Sequence, residues 1–194
     1  MIEELENRRW KVLESHYIAR EGDWFTVRKE KVQLPNGHIV PSWYIIDYPD
    51  WINVIAITKQ GEFVMISQYR HAIAQTSYEL VAGIKDKTDA SPMDAAKREL
   101  LEESGYGGGK WTPFMKLCPN PTSNSNYSYT FLAEGVEKVS EQHTEESEDI
   151  RVYLFSLEEI RELLEKGMML QALQAAPLWK YLAMIDRKGS LSTK

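Results

Sequence analysis

A single cysteine, Cys118, occurs in the 194 residues, so no intrachain disulfide can staple the fold. No run of side chains approaches the ~20 apolar residues that a membrane-spanning helix needs. Cations are also short: 23 Lys and Arg against 29 Asp and Glu leave a net charge of −6. Broad nucleic-acid binding is disfavoured, because there is no surplus of positive charge to displace counterions from a phosphate backbone. The first residues, Met1 to Asn7, lack the basic end and apolar run of a secretory signal, and the expectation is a cytoplasmic protein with no membrane partner. Internal repeats, low-complexity tracts and long linkers are absent too. What remains is a chain sized for one domain with a small appendage, in which 43% hydrophobic residues suffice for a packed core.

The order of elements is α+β, with strands early and helices late. Val27 to Leu34 and His38 to Asp47 are β-rich runs joined by Pro35-Asn36-Gly37, a hairpin signal. A second pair, Asn53 to Thr58 and Glu62 to Tyr69, turns around Gln60-Gly61, and Tyr78 to Val81 reads as a short strand. Further strands are expected at Trp111 to Leu117, Tyr127 to Ala133 and Arg151 to Phe155, with helices at Leu157 to Lys166 and Leu170 to Ile185. A mixed sheet sandwiched between helices (α/β/α) accommodates this order, with residues 1–50 as an N-terminal β-hairpin subdomain and residues 51–194 as the main domain.

One helix stands out. Ser91 suits the N-cap, Pro92 the first helical position, Asp94 the capping-box acid and Gly105 the stop. Residues three and four apart share a face, so Glu99 lies over Glu102 and Glu103 while Arg98 falls between Asp94 and Glu102. Glu99 repels Glu103, and Glu102 and Glu103 sit at the negative end of the helix macrodipole, each effect costing a few tenths to ~1 kcal/mol. A hard divalent cation, Mg²⁺ or Mn²⁺, would compensate, since carboxylate oxygens are its preferred ligands. The plainer alternative is an exposed acidic face with ordinary i,i+4 pairs.

The run Arg98-Glu99-Leu100-Leu101-Glu102-Glu103-Ser104-Gly105, with Gly83 upstream, resembles the core of the Nudix box, and the resemblance implies a Nudix hydrolase. The family pattern is Gly, five residues, Glu, seven residues, then Arg-Glu. Here six residues separate Gly83 from Ala90, so the loop is one residue longer and Ala90 replaces the bracing glutamate, with Asp89 as its stand-in. Gln68-Tyr69-Arg70, Glu79-Leu80-Val81-Ala82-Gly83 and Glu146 to Val152 are similar to the ADP-ribose pyrophosphatase branch.

That likeness implies a Mg²⁺ site (Mn²⁺ as the alternative) on the Ala82 carbonyl, Glu99, Glu102 and Glu103. Arg70 would grip the diphosphate with paired N–H donors, and Glu79 would line the substrate pocket. Taken alone, Arg70 also reads as a strand-end arginine reaching for water. The acid-rich loop Thr144 to Asp149 resembles the one carrying the catalytic base, Glu146 being the closest match and Glu148 the second. Trp24 and Trp43 match positions that stack a base across a two-fold homodimer, although plain core packing would also occupy them.

The implied substrate is a nucleoside diphosphate sugar, ADP-ribose first. The loop Cys118 to Asn126 lacks the glycine and acid usual there, which keeps GDP-mannose and other such sugars open. A catalytically silent nucleotide-sugar sensor is the alternative from a different class.

Overall fold

The molecule is described from a computed structural model that covers residues 3–22, 25–144 and 148–191, the side chains of 188–191 excepted. Near the N-terminus three strands, β1 (Lys11–Glu21), β2 (Phe25–Gln33) and β3 (Ile39–Asp47), form an antiparallel sheet in the order β1-β2-β3. The expected hairpin is β2–β3. Its turn closes through Gly37, whose φ of 87° suits only a residue without Cβ, and through the Asn36 Oδ1 acceptor, which takes the His38 N–H at 3.0 Å. Strand β1 has no counterpart among the sequence expectations. Two register shifts, at Val12/Glu14 and Tyr17/Ala19, break its alternation, and almost every residue in it is exposed.

By proximity the chain divides into two compact units, Met1–Pro49 with Cys118–Asn126, and Asp50–Leu117 with Tyr127–Lys194. The segment Cys118–Asn126, expected within the main domain, therefore groups with the N-terminal strands. Backbone bonds explain this: Ile46 donates to the Ser123 carbonyl at 2.7 Å and accepts from the Ser125 N–H at 3.1 Å. Inside the same unit Arg28 joins the Glu30 and Asp47 carboxylates, and Trp43 meets Trp10 edge-on at 5.0 Å between ring centroids.

The second unit holds six strands, β4 (Trp51–Thr58), β5 (Phe63–Arg70), β6 (Gln75–Ile84), β7 (Tyr106–Leu117), β8 (Ser128–Lys138) and β9 (Arg151–Phe155). Their order is β7-β8-β4-β6-β5-β9; β4 and β8 run parallel and the other pairs antiparallel. Three helices, α1 (Pro92–Ser104), α2 (Leu157–Glu165) and α3 (Ala172–Leu191), complete it. Side chains alternate across β4, so Ile52, Val54 and Ala56 pack with Ala95, Ala96 and Leu100 of α1, while Ile55 and Ile57 pack with Ile160, Leu163, Leu178 and Leu182 of α2 and α3. This is the expected helix–sheet–helix sandwich. No described helix is long and apolar enough to cross a membrane.

Several strands outrun their expected lengths, β8 among them because its ladder with β7 continues to Lys138. Strand β6 starts at Gln75 because polar Gln75 and Thr76 still pair with Arg70 and Tyr69, and β7 starts at Tyr106 because Tyr106, Gly107 and Gly108 still pair with Lys138, Glu137 and Val136. Helix α2 carries a complete capping box that its Ser156-x-x-Glu159 spacing encodes: Ser156 N–H donates to Glu159 Oε2 at 2.7 Å and Glu159 N–H to Ser156 Oγ at 3.3 Å.

Candidate active site

Helix α1 begins and ends as its sequence demands. Ser91 Oγ accepts the Asp94 N–H at 3.2 Å, Pro92 opens the first turn, and Gly105 in the left-handed region (φ 71°) closes the last. The Asp94 carboxylate, expected on the Ser91 backbone, instead takes the Ser91 hydroxyl at 2.7 Å. That keeps Asp94 away from Arg98, which pairs elsewhere.

Arg98 is a hub for four acids and one carbonyl, the Asp86 carboxylate being the farthest at 3.8 Å. It donates to Asp89 through Nε at 3.2 Å and Nη2 at 3.1 Å, and to the Ile84 carbonyl at 3.2 Å. Its Nη1 lies 2.8 Å from Glu102 Oε2 and 2.9 Å from Glu99 Oε1. The Asp89 carboxyl is held below its usual range first by the Arg98 bond. Asp89 also accepts the Asp86 N–H at 2.8 Å, so this residue ties the longer loop to the helix where Ala90 has no side chain to do so.

The three glutamates differ in exposure, although Glu99 and Glu102 share the Arg98 Nη1. Glu102 is turned to Arg98 with its side chain 45% exposed, whereas Glu99 and Glu103 are buried against β6. Among the described residues no three acidic, histidine or cysteine side chains stand in metal-holding positions.

Burial decides the character of the inner pair. The Glu103 carboxyl is pushed up to about 9, mainly by burial, with Glu99 and Glu148 adding to the rise and the Ala82 N–H, donated at 3.1 Å, opposing it. Glu99 is pushed up to about 7, again chiefly by burial, against the pull of Arg98. Gly83 makes room for it: a Cβ there would come within 2.3 Å of the Glu99 carboxyl carbon. Two buried carboxylates beside the end of a strand form a hard-oxygen donor set, which fits a divalent cation.

Arg70, the last residue of β5, reaches across to Glu79 of β6, its Nε meeting Oε1 at 2.7 Å and its Nη2 bonding Oε2. The reading of Arg70 as a free strand-end arginine is thereby replaced by a forked ion pair. Glu79 was expected to line a pocket; it is 1% exposed, and it accepts from Arg70 and from Gln174 Nε2 at 3.2 Å. Beside these strands lies a cleft of about 300 Å³ lined by Gln68, Tyr69, Ser77, Tyr78, Asp149 and Arg151 among others.

The acid loop is pinned at its stems, where His143 N–H donates to the Glu102 carbonyl at 2.8 Å and Gln142 Nε2 to the Ile150 carbonyl at 3.1 Å. Glu148, half-buried, is close enough to raise both inner carboxyls. Glu146 lies outside the described residues, as does Trp24; Trp43 is half-buried in the first unit. Gln174, Gln142 and His143 were not anticipated, because their roles are made by partners distant in sequence.

A model described as the NUDIX domain matches residues 48–174. The chain belongs to the Nudix family. The N-terminal strands of this Nudix hydrolase match a second model, the nucleoside diphosphate sugar hydrolase N-terminal domain, over residues 10–46. An ADP-ribose pyrophosphatase of Bacillus subtilis is 32% identical over 80% of this chain and 85% of its own. One from Mycobacterium tuberculosis is 30% identical over 66% and 62%. A crystal structure of an ADP compounds hydrolase superposes with a TM-score of 0.80, covering 96% of this chain and 99% of its own at 21% identity, a likeness of fold.

Two outcomes follow from this geometry. Because folded Glu99 and Glu103 hold protons that an ordinary glutamate of pKa 4.5 releases, the metal-free fold loses stability as pH rises from 4.5 toward about 9. A divalent cation takes the ionised form, so urea midpoints measured with chelator and with Mg²⁺ at pH 5, 7 and 9 should diverge as pH rises. The Gly83→Ala variant should fold, since only the flexible end of Glu99 must move, yet lose about tenfold or more in kcat/KM, about 1.4 kcal/mol of transition-state stabilisation.

Proposed function

We propose that this hydrolase splits the diphosphate of a nucleoside diphosphate sugar in a Mg²⁺-dependent reaction, with ADP-ribose the first candidate and AMP and ribose 5-phosphate its products. The observation that carries the reading is the buried pair Glu99 and Glu103 beside Ala82 and Gly83, with Glu148 close to both. The names of the relatives support the substrate class.

Glu99 and Glu103, with the Ala82 carbonyl and a Glu102 released from Arg98, would hold the metal; Mn²⁺ suits the same oxygens. Bound there, the cation supplies Lewis acidity to the phosphate and lowers the pKa of water. Arg70 presents its guanidinium to the diphosphate while Glu79 holds its other edge. Glu148, or Glu146 in the same loop, accepts the proton of the attacking water as the P–O–P bond breaks. Trp24 and Trp43 would stack the base.

The loop Cys118–Asn126, with neither the glycine nor the acid common in this branch, favours a second reading in which the sugar differs, as in GDP-mannose. We also infer a cytoplasmic homodimer. Val12, Tyr17 and Ile18 on β1 are 52%, 62% and 52% exposed, apolar surface that a second copy would cover.

The deciding assay is monophosphate release from ADP-ribose, ADP-glucose, GDP-mannose, NADH and diadenosine polyphosphates with Mg²⁺, Mn²⁺ or chelator. Glu103→Gln should lower kcat by about a hundredfold or more, about 2.7 kcal/mol, without weakening the metal-free fold, because the amide still accepts the Ala82 N–H. Preference for another sugar would move the substrate assignment, and retained ligand binding with no turnover of any compound would replace the enzyme by a sensor. For the assembly, light scattering should give twice the chain mass, reduced to one chain by a Val12→Glu, Ile18→Glu double variant; a wild type of single-chain mass sinks the dimer.

A further inference from the structure

Gln174 occupies the first turn of α3 and is 2% exposed. Leu178 and Leu182, four and eight residues on, are fully buried in the core on that side of the sheet. Gln174 therefore heads an apolar stripe, where a polar amide is tolerated only if both of its ends are bonded. Both are. Oε1 accepts the Leu80 N–H at 2.8 Å, and Nε2 donates to Glu79 Oε2 at 3.2 Å. Just before the helix, the Leu170 N–H donates to Ser77 Oγ at 3.2 Å, so the start of α3 is stitched to β6 on both sides of Glu79.

Glu79 in turn takes the Arg70 guanidinium on two oxygens, an arrangement that fixes the plane of the group as well as its position. Arg70 needs such help. It ends β5 just before a one-turn 3₁₀ helix, His71–Ile73, and its side chain is 43% exposed. A long side chain left to itself spends most of its time in rotamers that do not meet a ligand. Two of the five guanidinium donors are committed to Glu79, which leaves the others on the edge turned away from that carboxylate.

We propose that Gln174 is a positioning residue for substrate binding: through Glu79 it holds the Arg70 fork in the orientation that receives the diphosphate. The inference rests on the diphosphate role given to Arg70 above. Gln174 touches no substrate and acts only through Glu79.

The experiment measures KM and kcat on the compound of the panel that the wild type cleaves best, for Gln174→Glu, Gln174→Met, Arg70→Ala and each double variant with Arg70→Ala. Gln174→Glu retains an acceptor for the Leu80 N–H but loses the donor and sets a second carboxylate beside Glu79; Gln174→Met keeps the volume and suits the apolar stripe. Thermal melts identify variants that fold. Both substitutions are expected to raise KM by about tenfold with kcat within about threefold, the pattern of lost ground-state grip. Adding either to Arg70→Ala should raise KM no further, because the coupling passes through that arginine. An unchanged KM in both folded Gln174 variants, with Arg70→Ala impaired, overturns the relay alone, as does simple additivity in the double variants. If Arg70→Ala leaves KM unchanged, the diphosphate role of Arg70 has failed and the relay falls with it.

Discussion

Two glutamates one helical turn apart are buried against the end of a strand, and most of what surrounds them serves to make that tolerable. Burying a carboxylate is costly unless it is neutralised or bonded. Glu103 meets the cost by holding a proton and accepting the Ala82 N–H, and Glu99 by lying next to Arg98. The close approach requires a residue without a side chain at Gly83 and small ones at Ala95 and Ala96, where α1 packs onto the sheet. Apolar packing, with Leu100 at its centre, supplies the stability that the acids themselves withhold.

Arg98 explains how an irregular box still builds a regular helix end. A loop one residue longer than the family pattern would leave its turn loose if it were tied only by neighbours in sequence. Here the guanidinium spans from the Ile84 carbonyl through Asp89 to Glu102, so one planar group sets the loop, the helix and an acid at once. Glu102 is the most solvent-open of the three glutamates. It is exposed and bonded to a group that already has other partners, whereas Glu99 and Glu103 are constrained by the wall behind them.

The sheet supplies the remaining order. Strands β5 and β6 pair from Arg70 with Gln75 to Met65 with Leu80, which leaves Arg70 and Glu79 on one face, and the long Arg70 side chain reaches back along the ladder to Glu79, whose own partner is Ile66. Strand β9 follows directly on the acid loop and pairs with β5, so the loop is tied to the sheet on that side and, through His143, to the end of α1 on the other. The same strands carry apolar side chains on both faces, and the site is supported by two cores at once.

Short-range chemistry was legible in the sequence. The Ser91–Pro92 start and Gly105 stop of α1, the Pro35-Asn36-Gly37 hairpin, the strand pair turning around Gln60-Gly61 and the acids beside Arg98 all follow from interactions spanning a few residues, which the order of the chain encodes directly. The N-terminal strand β1 was not legible, because its bulges erase the period that would betray it, and neither was the membership of Cys118–Asn126, which depends on backbone bonds to Ile46. Spacing placed three glutamates on one helix and a motif lent them a role. Which two are buried, which one stays open to solvent beside Arg98, and that Glu79 stands behind Arg70 with Gln174 behind it, were decided by tertiary packing alone, since solvent exclusion and the nearest counter-charge are properties of the assembled fold and not of neighbours along the chain.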